Sequence, residues 1–412
     1  MDALNKDNSE PAAVTDAGKN ARVSALDLRL LAMIAILALV WIGFGLATNG
    51  VFLSPRNLFN LSLQVAVVGV LATGMVLVIV ARHIDLSVGS QIGFIGVVGA
   101  LVQTQYLAVD GSHTWWIALA AMLATGAVIG LINGALIAYV GIPSFVVTLG
   151  GLMFFRNAAY MLNEGRTISP LNETFRRIGG GLNGSIGEML SWLCAVSAIL
   201  VMVVVTLRNR QRRRQFNFPT VPAGVAMAGV SAGAMAIIVF VMVMNAYELP
   251  RTGQPAGLAI PVLILLVVGV AMSTVSRRHR FGRHVFSLGG SPQSTALSGI
   301  DTKALTLKLF VLMGLLCGLA SAIVTARLNA AASVTGTMLE LNVIAAAVIG
   351  GTSLSGGVGT IVGGMLGALI MQSLESGMIL MGVPTPLQRM IVAMVLIMAV
   401  WIDITYRKRA KR

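Results

Sequence analysis

The chain has 412 residues, 56% of them hydrophobic and only 11% charged, against about 25% charged in an ordinary soluble protein. This composition excludes a string of soluble domains and fits an all-α polytopic membrane protein, because a bilayer core of about 30 Å takes roughly 20 apolar residues per helix. A net charge of +14 would point to nucleic acid in a soluble chain, but the basic residues lie between apolar runs, so lipid and not nucleic acid is the expected surrounding.

Residues 1–27 are polar, contain Pro11 and Gly18, and read as a disordered cytoplasmic tail with no cleavable export signal. Hydropathy then predicts about twelve spans (ten to twelve), at 28–48, 58–81, 86–108, 115–139, 143–162, 188–207, 219–244, 258–275, 304–326, 339–353, 358–381 and 386–404. The tenth is short for an independent crossing. The expected organisation is an N-terminal membrane bundle (28–207), a basic loop plus an extra apolar pair (208–275), a cytoplasmic loop (276–303), a C-terminal bundle (304–404) and a basic cytoplasmic tail (405–412). With the amino terminus inside, most of the 29 Lys and Arg fall on cytoplasmic segments, among them Arg208 to Arg214, Arg277 to Arg283 and Arg407 to Arg412. Basic loops resist translocation, so one topology with both termini cytoplasmic accounts for all three clusters. Of the outer connections, 163–187 carries Gly179-Gly180-Gly181 and reads as a small platform. The connection 245–257, with Pro250, Gly253, Pro255 and Gly257, reads as a solvated connector or a functional loop.

Catalytic signatures are absent. No G-x-x-x-x-G-K-[ST], H-E-x-x-H or G-x-S-x-G sequence occurs, and Gly350 to Gly357 lacks the lysine that meets a nucleotide. Cys194 and Cys317 lie in apolar runs and offer neither a disulfide framework nor a zinc site. The chain is expected to be no enzyme and to bind no metal or cofactor; any ATP must be hydrolysed by another chain.

Polar residues inside apolar spans are costly and mark functional candidates. Glu375 and Arg389 fall at similar depth on either side of the turn Gly382-Val383-Pro384, and are expected to pair, structurally or facing a substrate. Arg156 is expected to snorkel outward toward Glu164. Asp85, in Asp85-Leu86-Ser87, is placed to cap a helix amino terminus or to stand on a pathway. Gln64, Asn133, Asn342 and Gln372 are neutral amides. They suit either interhelical hydrogen bonds or a hydroxyl-rich, uncharged solute, since an amide both donates and accepts. Few carboxylates lie near the midplane, which disfavours an ion-coupled secondary transporter. Residues 85–103 align weakly on 353–371, but both run in the same direction, so no inverted repeat is read from the sequence.

Four stretches together carry a resemblance: Ile84-Asp85-Leu86-Ser87-Val88-Gly89-Ser90, Pro143 to Gly150, Phe281 to Ile300, and Gly350 to Thr360. In this order they resemble the permease subunits of bacterial ABC-type monosaccharide importers, nearest the xylose-type branch, whose chains carry the extra apolar pair. The resemblance implies the type II importer permease fold, two permease copies forming a pore, and a location in the bacterial inner membrane. It also implies an exported periplasmic sugar-binding protein outside and a cytoplasmic ATP-binding subunit, holding ATP and Mg, inside. The sugar it implies is D-xylose, with ribose or galactose as alternatives. The ATPase would dock on Gly289, Gly290, Pro292, Gln293, Leu297, Ser298, Gly299 and Ile300, and Gln293 to Leu297 can form a short helix that Gly299 stops. The substrate-pathway candidates are Gln64, Asp85, Ser87, Asn133, Asn342, Gln372 and Glu375. The pair over 219–275 is expected to be peripheral. The chain departs from the family pattern at Arg82-His83, where small residues are frequent, and at Ser291 and Ala296, where Asn and Arg are common.

Overall fold

Hydrocarbon offers no partner for backbone N–H and C=O groups, so a chain this apolar must satisfy them within helices. The computed structural model describes residues 17–181, 184–216, 218, 222–250 and 253–410. Among these, the chain forms α1 (Ala17–Ala47), a 3-10 turn (Val51–Leu53), α2 (Pro55–Val80), α3 (Val88–Leu101) with a π-helical turn (Val102–Tyr106), α4 (Thr114–Ala135) with a second π-helical turn (Leu136–Val140), and α5 (Ser144–Asn163). There follow α6 (Glu173–Arg177), α7 (Gly187–Gln215), α8 (Ala223–Asn245), α9 (Ile260–Arg278), α10 (Arg280–Gly290) and α11 (Pro292–Leu297). The last four are α12 (Thr302–Leu328), α13 (Leu339–Ile349), α14 (Ile361–Leu380) and α15 (Thr385–Ala410).

Each of the twelve apolar segments expected from hydropathy contains a helix, and no β-strand occurs among the described residues. Among the described residues, eight helices are long and apolar enough to cross a membrane. The 11 residues of α13 rise only about 16 Å, half a bilayer core, so this helix does not cross alone. Three boundaries differ from expectation. Residues 17–27, expected to be disordered, extend α1, because after Gly18 the segment has no strong helix breaker; residues 1–16 lie outside the described residues. The basic run Arg208 to Arg214, expected in a loop, is the last part of α7. The expected C-terminal tail continues α15 to Ala410, and Lys411 and Arg412 lie outside the described residues.

Helix α2 is the axis of the core. Nearly every residue from Leu63 to Val80 is buried, with α9, α12, α13 and α14 around it. Lipid tails provide no hydrophobic drive for helix association, so close packing between small residues must supply it. The pair α4–α12 shows how. Gly126, Gly130 and Gly134 are spaced by four, and a Cβ on Gly126 would stand 2.2 Å from the Gly314 carbonyl oxygen. At Gly130 it would stand 2.3 Å from the Phe310 oxygen. The same device joins α13 to α14, where a Cβ on Gly363 would meet the Gly350 oxygen at 2.0 Å.

The pair expected to be peripheral divides in two. Helix α8 lies at the edge, held mainly by α7 and by a satellite cluster of Phe59, Leu63, Val241, Met244 and Leu258, with Tyr247 stacked on Phe59 at 4.6 Å. Helix α9 instead belongs to the bundle: Leu265 fills the space beside Gly69 of α2, and Met365 of α14 fills that beside Gly269. Glycine at both contacts lets α9 sit too close to be an outer addition.

The Arg-rich last turns of α7 and α9 lie at one end of the bundle, the basic end. At the opposite end the connections are knitted into a cap. Ile168 bridges Ala331, Ser185 bridges Ala259, and Gly187 bridges Gly257. Asn172 caps α6, and its side chain donates to the Val109 oxygen at 2.6 Å, while its N–H donates to Gln103 Oε1 at 3.0 Å. Residues 245–250 and 253–257 are therefore a fixed part of this cap, pinned by Ala256 N–H donating to the Tyr247 oxygen at 2.8 Å.

Replacing Gly126 by Leu is expected to lower the thermal transition measured in detergent by several degrees, since overpacking costs roughly 1–3 kcal/mol. Gly150→Leu, at a site with nothing within 4 Å, is expected to leave the transition unchanged.

Candidate functional site

Amides and a carboxylate can serve a passing solute only where they face open space. A cleft of about 280 Å³ lies between α2, α12, α13 and α14. Its polar lining is Gln64 from α2, Arg327 from α12, Thr337 just before α13, Asn342 from α13, and Gln372 and Glu375 from α14. Val67, Val68, Val324, Leu339 and Ile379 form the apolar walls. Glu375 lies five residues before the end of α14, about 7.5 Å along the helix, and Arg327 lies one residue before the end of α12. The cleft is thus in the half of the bundle nearest the cap.

Glu375 is the hub of this cleft. Its Oε2 accepts from Gln372 Nε2 at 2.9 Å and from Asn342 Nδ2 at 3.1 Å. Gln372 is buried, and Asn342, Glu375 and Gln64 are half-buried. Two amides orient the carboxylate and leave the acceptor capacity of its other oxygen for a ligand. The expected Glu375–Arg389 pair is not formed among the described residues: Glu375 turns toward α13, and Arg389 is exposed. Depth on two neighbouring helices fixed their height but not the faces they present.

The remaining three pathway candidates meet elsewhere. Asp85, Ser87 and Asn133 are 1%, 0% and 3% exposed and form one network at the start of α3. Asp85 Oδ1 accepts from the Ser87 N–H at 2.9 Å and from its hydroxyl at 2.6 Å. Ser87 Oγ in turn accepts from Gln91 Nε2 at 2.7 Å and Asn133 Nδ2 at 3.4 Å. Asp85 thereby holds Ser87, the residue at the cap position of α3, but caps no N–H of the helix itself, and Asn133 ties α4 to the same serine. This network lines no part of the cleft.

Arg156 does not reach toward Glu164, which pairs instead with Arg166 at 3.6 Å. Arg156 Nη1 donates to the Ser333 carbonyl at 3.2 Å and to the Thr337 hydroxyl, because the segment 329–338 folds inward against α3. A Cβ on Gly93 would stand 2.9 Å from the Thr335 oxygen, and one on Gly89 2.4 Å from that of Gly336. Beside this segment lies Glu340, 6% exposed, whose Oε2 has no hydrogen-bond partner. Arg156 supplies the nearby positive charge. Sequence reading passed over Glu340, although an acidic residue second in the predicted span 339–353 was the available signal.

At the basic end, α10 and α11 form a knob. Ser291 accepts from the Ser294 N–H at 3.3 Å and so caps α11, the task for which asparagine serves equally well. Thr295, 1% exposed, fixes α11 to α10 through the Ser287 hydroxyl at 3.1 Å. Gly299 at φ +78° turns the chain into α12, whose amino end Asp301 caps through the Ala304 N–H at 2.9 Å. Pro292, Gln293, Ser298 and Gly299 are left exposed, as is Leu297 at 89%. Gly290 is exposed and Ile300 half-buried. Gly289 alone is enclosed, against the end of α2.

A helical membrane bundle with a polar cleft near one end and a projecting knob at the other has the build of a permease. The family model described as "Branched-chain amino acid transport system / permease component" matches residues 57–400, and the chain belongs to that family. It is 35% identical over 394 residues to the Xylose transport system permease protein XylH of Haemophilus influenzae, covering 94% of this chain and 99% of that one. It is 31% identical over 371 residues to the Ribose import permease protein RbsC of Escherichia coli, covering 90% and 92%. To the L-arabinose ABC transporter permease protein AraH of Azospirillum brasilense it is 29% identical over 361 residues, covering 88% and 83%. No solved structure matches the chain.

Because Glu375 and Arg389 share no partner, alanine at both positions is expected to change stability by the sum of the single effects, within about 0.5 kcal/mol. Glu375→Ala and Asn342→Ala, by contrast, are expected to couple. Denaturation of the three single variants and both doubles measures each interaction.

Proposed function

We propose that this chain is the membrane subunit of an ATP-driven importer and that it carries a pentose, xylose first. The observation that supports the ATP-driven reading best is the knob. Thr295 pins α11, yet its apolar tip Leu297 stands 89% exposed at the basic end, and segments so rich in Arg stay on the cytoplasmic side. A soluble ATPase that takes α11 into a cleft would cover Leu297 and move with it. ATP and Mg belong to that partner, and no residue of this chain takes part in hydrolysis.

The cap at the opposite end then faces the periplasm and offers a rigid landing surface for a sugar-binding protein. The sugar reading rests on the relatives, which are xylose, ribose and L-arabinose permeases, all pentose systems. The cleft agrees in its chemistry. A pentose is neutral and carries several hydroxyls; the free acceptor capacity of Glu375, the amide of Gln64 and the donors of Arg327 suit such a ligand without burying a net charge of its own. Two copies of the chain would enclose the route, and alternating access would open it outward to the binding protein and then inward. Helix α8, at the edge, would stand clear of the pore.

In vesicles holding this chain with its ATPase and binding protein, xylose is expected to accumulate on addition of ATP, ahead of ribose and galactose. Vesicles with the chain alone under an imposed proton or sodium gradient are expected to accumulate none. Accumulation driven by the gradient alone would contradict the proposal.

A further inference from the structure

A helix leaves its last four carbonyls without intrahelical partners and presents partial negative charge at that end. Helix α10 ends at Gly290, directly before α11. Its two final carbonyls are not left to solvent: Arg82, from the loop after α2, donates Nε to the Gly289 oxygen at 2.7 Å and Nη2 to the Gly290 oxygen at 2.9 Å. Arg82 has φ +67°, a backbone state disfavoured for a residue with a Cβ. This position is one of the departures from the family pattern noted above.

The joint around Arg82 leaves no slack. A Cβ on Gly289 would stand 1.7 Å from the Val80 oxygen, so the backbone of α10 lies directly on the end of α2. The same Val80 oxygen accepts from the Gly357 N–H at 2.9 Å, and the space beside Gly356 is filled by Arg82 Cγ. Three segments therefore meet at one point: the end of α2, the end of α10, and the loop that enters α14. Two of them lead straight to the cleft. Gln64 lies sixteen residues up α2 from Val80, about 24 Å away along a rigid helix, and Gln372 and Glu375 lie on α14.

We infer that Arg82 is a positioning residue for transport: it locks the knob to α2 and to the α14 loop, so that a push on α11 reaches both walls of the cleft. The charge is what makes the lock suitable. A guanidinium fork holds two carbonyls in fixed geometry and meets the negative end of α10. A charge-free side chain would leave Gly289 backbone contact in place but allow α10 to slide against α2. The inference rests on the ATP-driven reading proposed above.

The test uses the assembled complex of this chain, its ATPase and its binding protein in vesicles, and reads sugar moved per ATP hydrolysed. Arg82→Gln and Arg82→Met are expected to assemble, to hydrolyse ATP and to lower that ratio about tenfold, the scale of lost charge-assisted hydrogen bonds. Arg82→Lys keeps the charge but not the fork and is expected to fall between. Arg277→Gln, at the same end but outside the joint, is expected to match the wild type. A merely structural role would lower assembly and hydrolysis together and leave the ratio intact. Whichever charge-free variant is recovered assembled must show the fall, and a wild-type ratio in it overturns the inference. A wild-type complex without ATP-driven uptake would instead refute the importer reading itself.

Discussion

Backbone-to-backbone contact is the constraint on which this structure depends. Helices in hydrocarbon gain little from burying apolar side chains against one another, since lipid already surrounds them with apolar groups. They gain by approaching until main chains touch, and glycine is what permits it. Contacts of this kind join α4 to α12, α13 to α14, and α10 to the end of α2. Each places two backbones where a methyl group would not fit, so each pair of elements shifts as one body. The cleft is what remains between helices that are held this tightly elsewhere.

The polar residues divide by what they do for this frame. Asp85, Ser87 and Asn133 spend their hydrogen-bonding capacity on one another and on Gln91. Arg156 spends its own on the segment 329–338. Glu375 differs because its two amide donors reach a single oxygen and the group faces open space. Glu340 differs in another way: it is buried with an oxygen lacking any partner, close to the segment that folds inward against α3. A polar residue within a span is thus a pathway residue only when its neighbours leave it something to offer.

Much of this was legible in the sequence. Apolar runs placed every major helix, and turn residues placed α11 between Pro292 and Gly299. The amides Gln64, Asn342 and Gln372 were singled out by residue type and depth alone. What periodicity could not supply was the face each residue presents, which is why Glu375 was set against Arg389 and not against Asn342. Nor does hydropathy distinguish an edge helix from an inner one, since lipid-facing and buried surfaces are equally apolar; α8 and α9 read alike and pack differently. Length, however, was informative: the shortness of the tenth apolar run foreshadowed the half-length α13. The three-way joint at Val80 was the least visible feature, because it unites residues more than 200 positions apart through main-chain atoms that carry no sequence signal.

The central claim is that events at the knob reach the cleft at the far end through helices that cannot slip. Spin labels at Leu328 and Leu380, on the ends of α12 and α14 that flank the cleft, would report its width in the assembled complex. The account predicts that binding of nucleotide to the ATPase subunit shifts the distance between these labels. An unchanged distance distribution, in a complex that is still importing sugar, would contradict it.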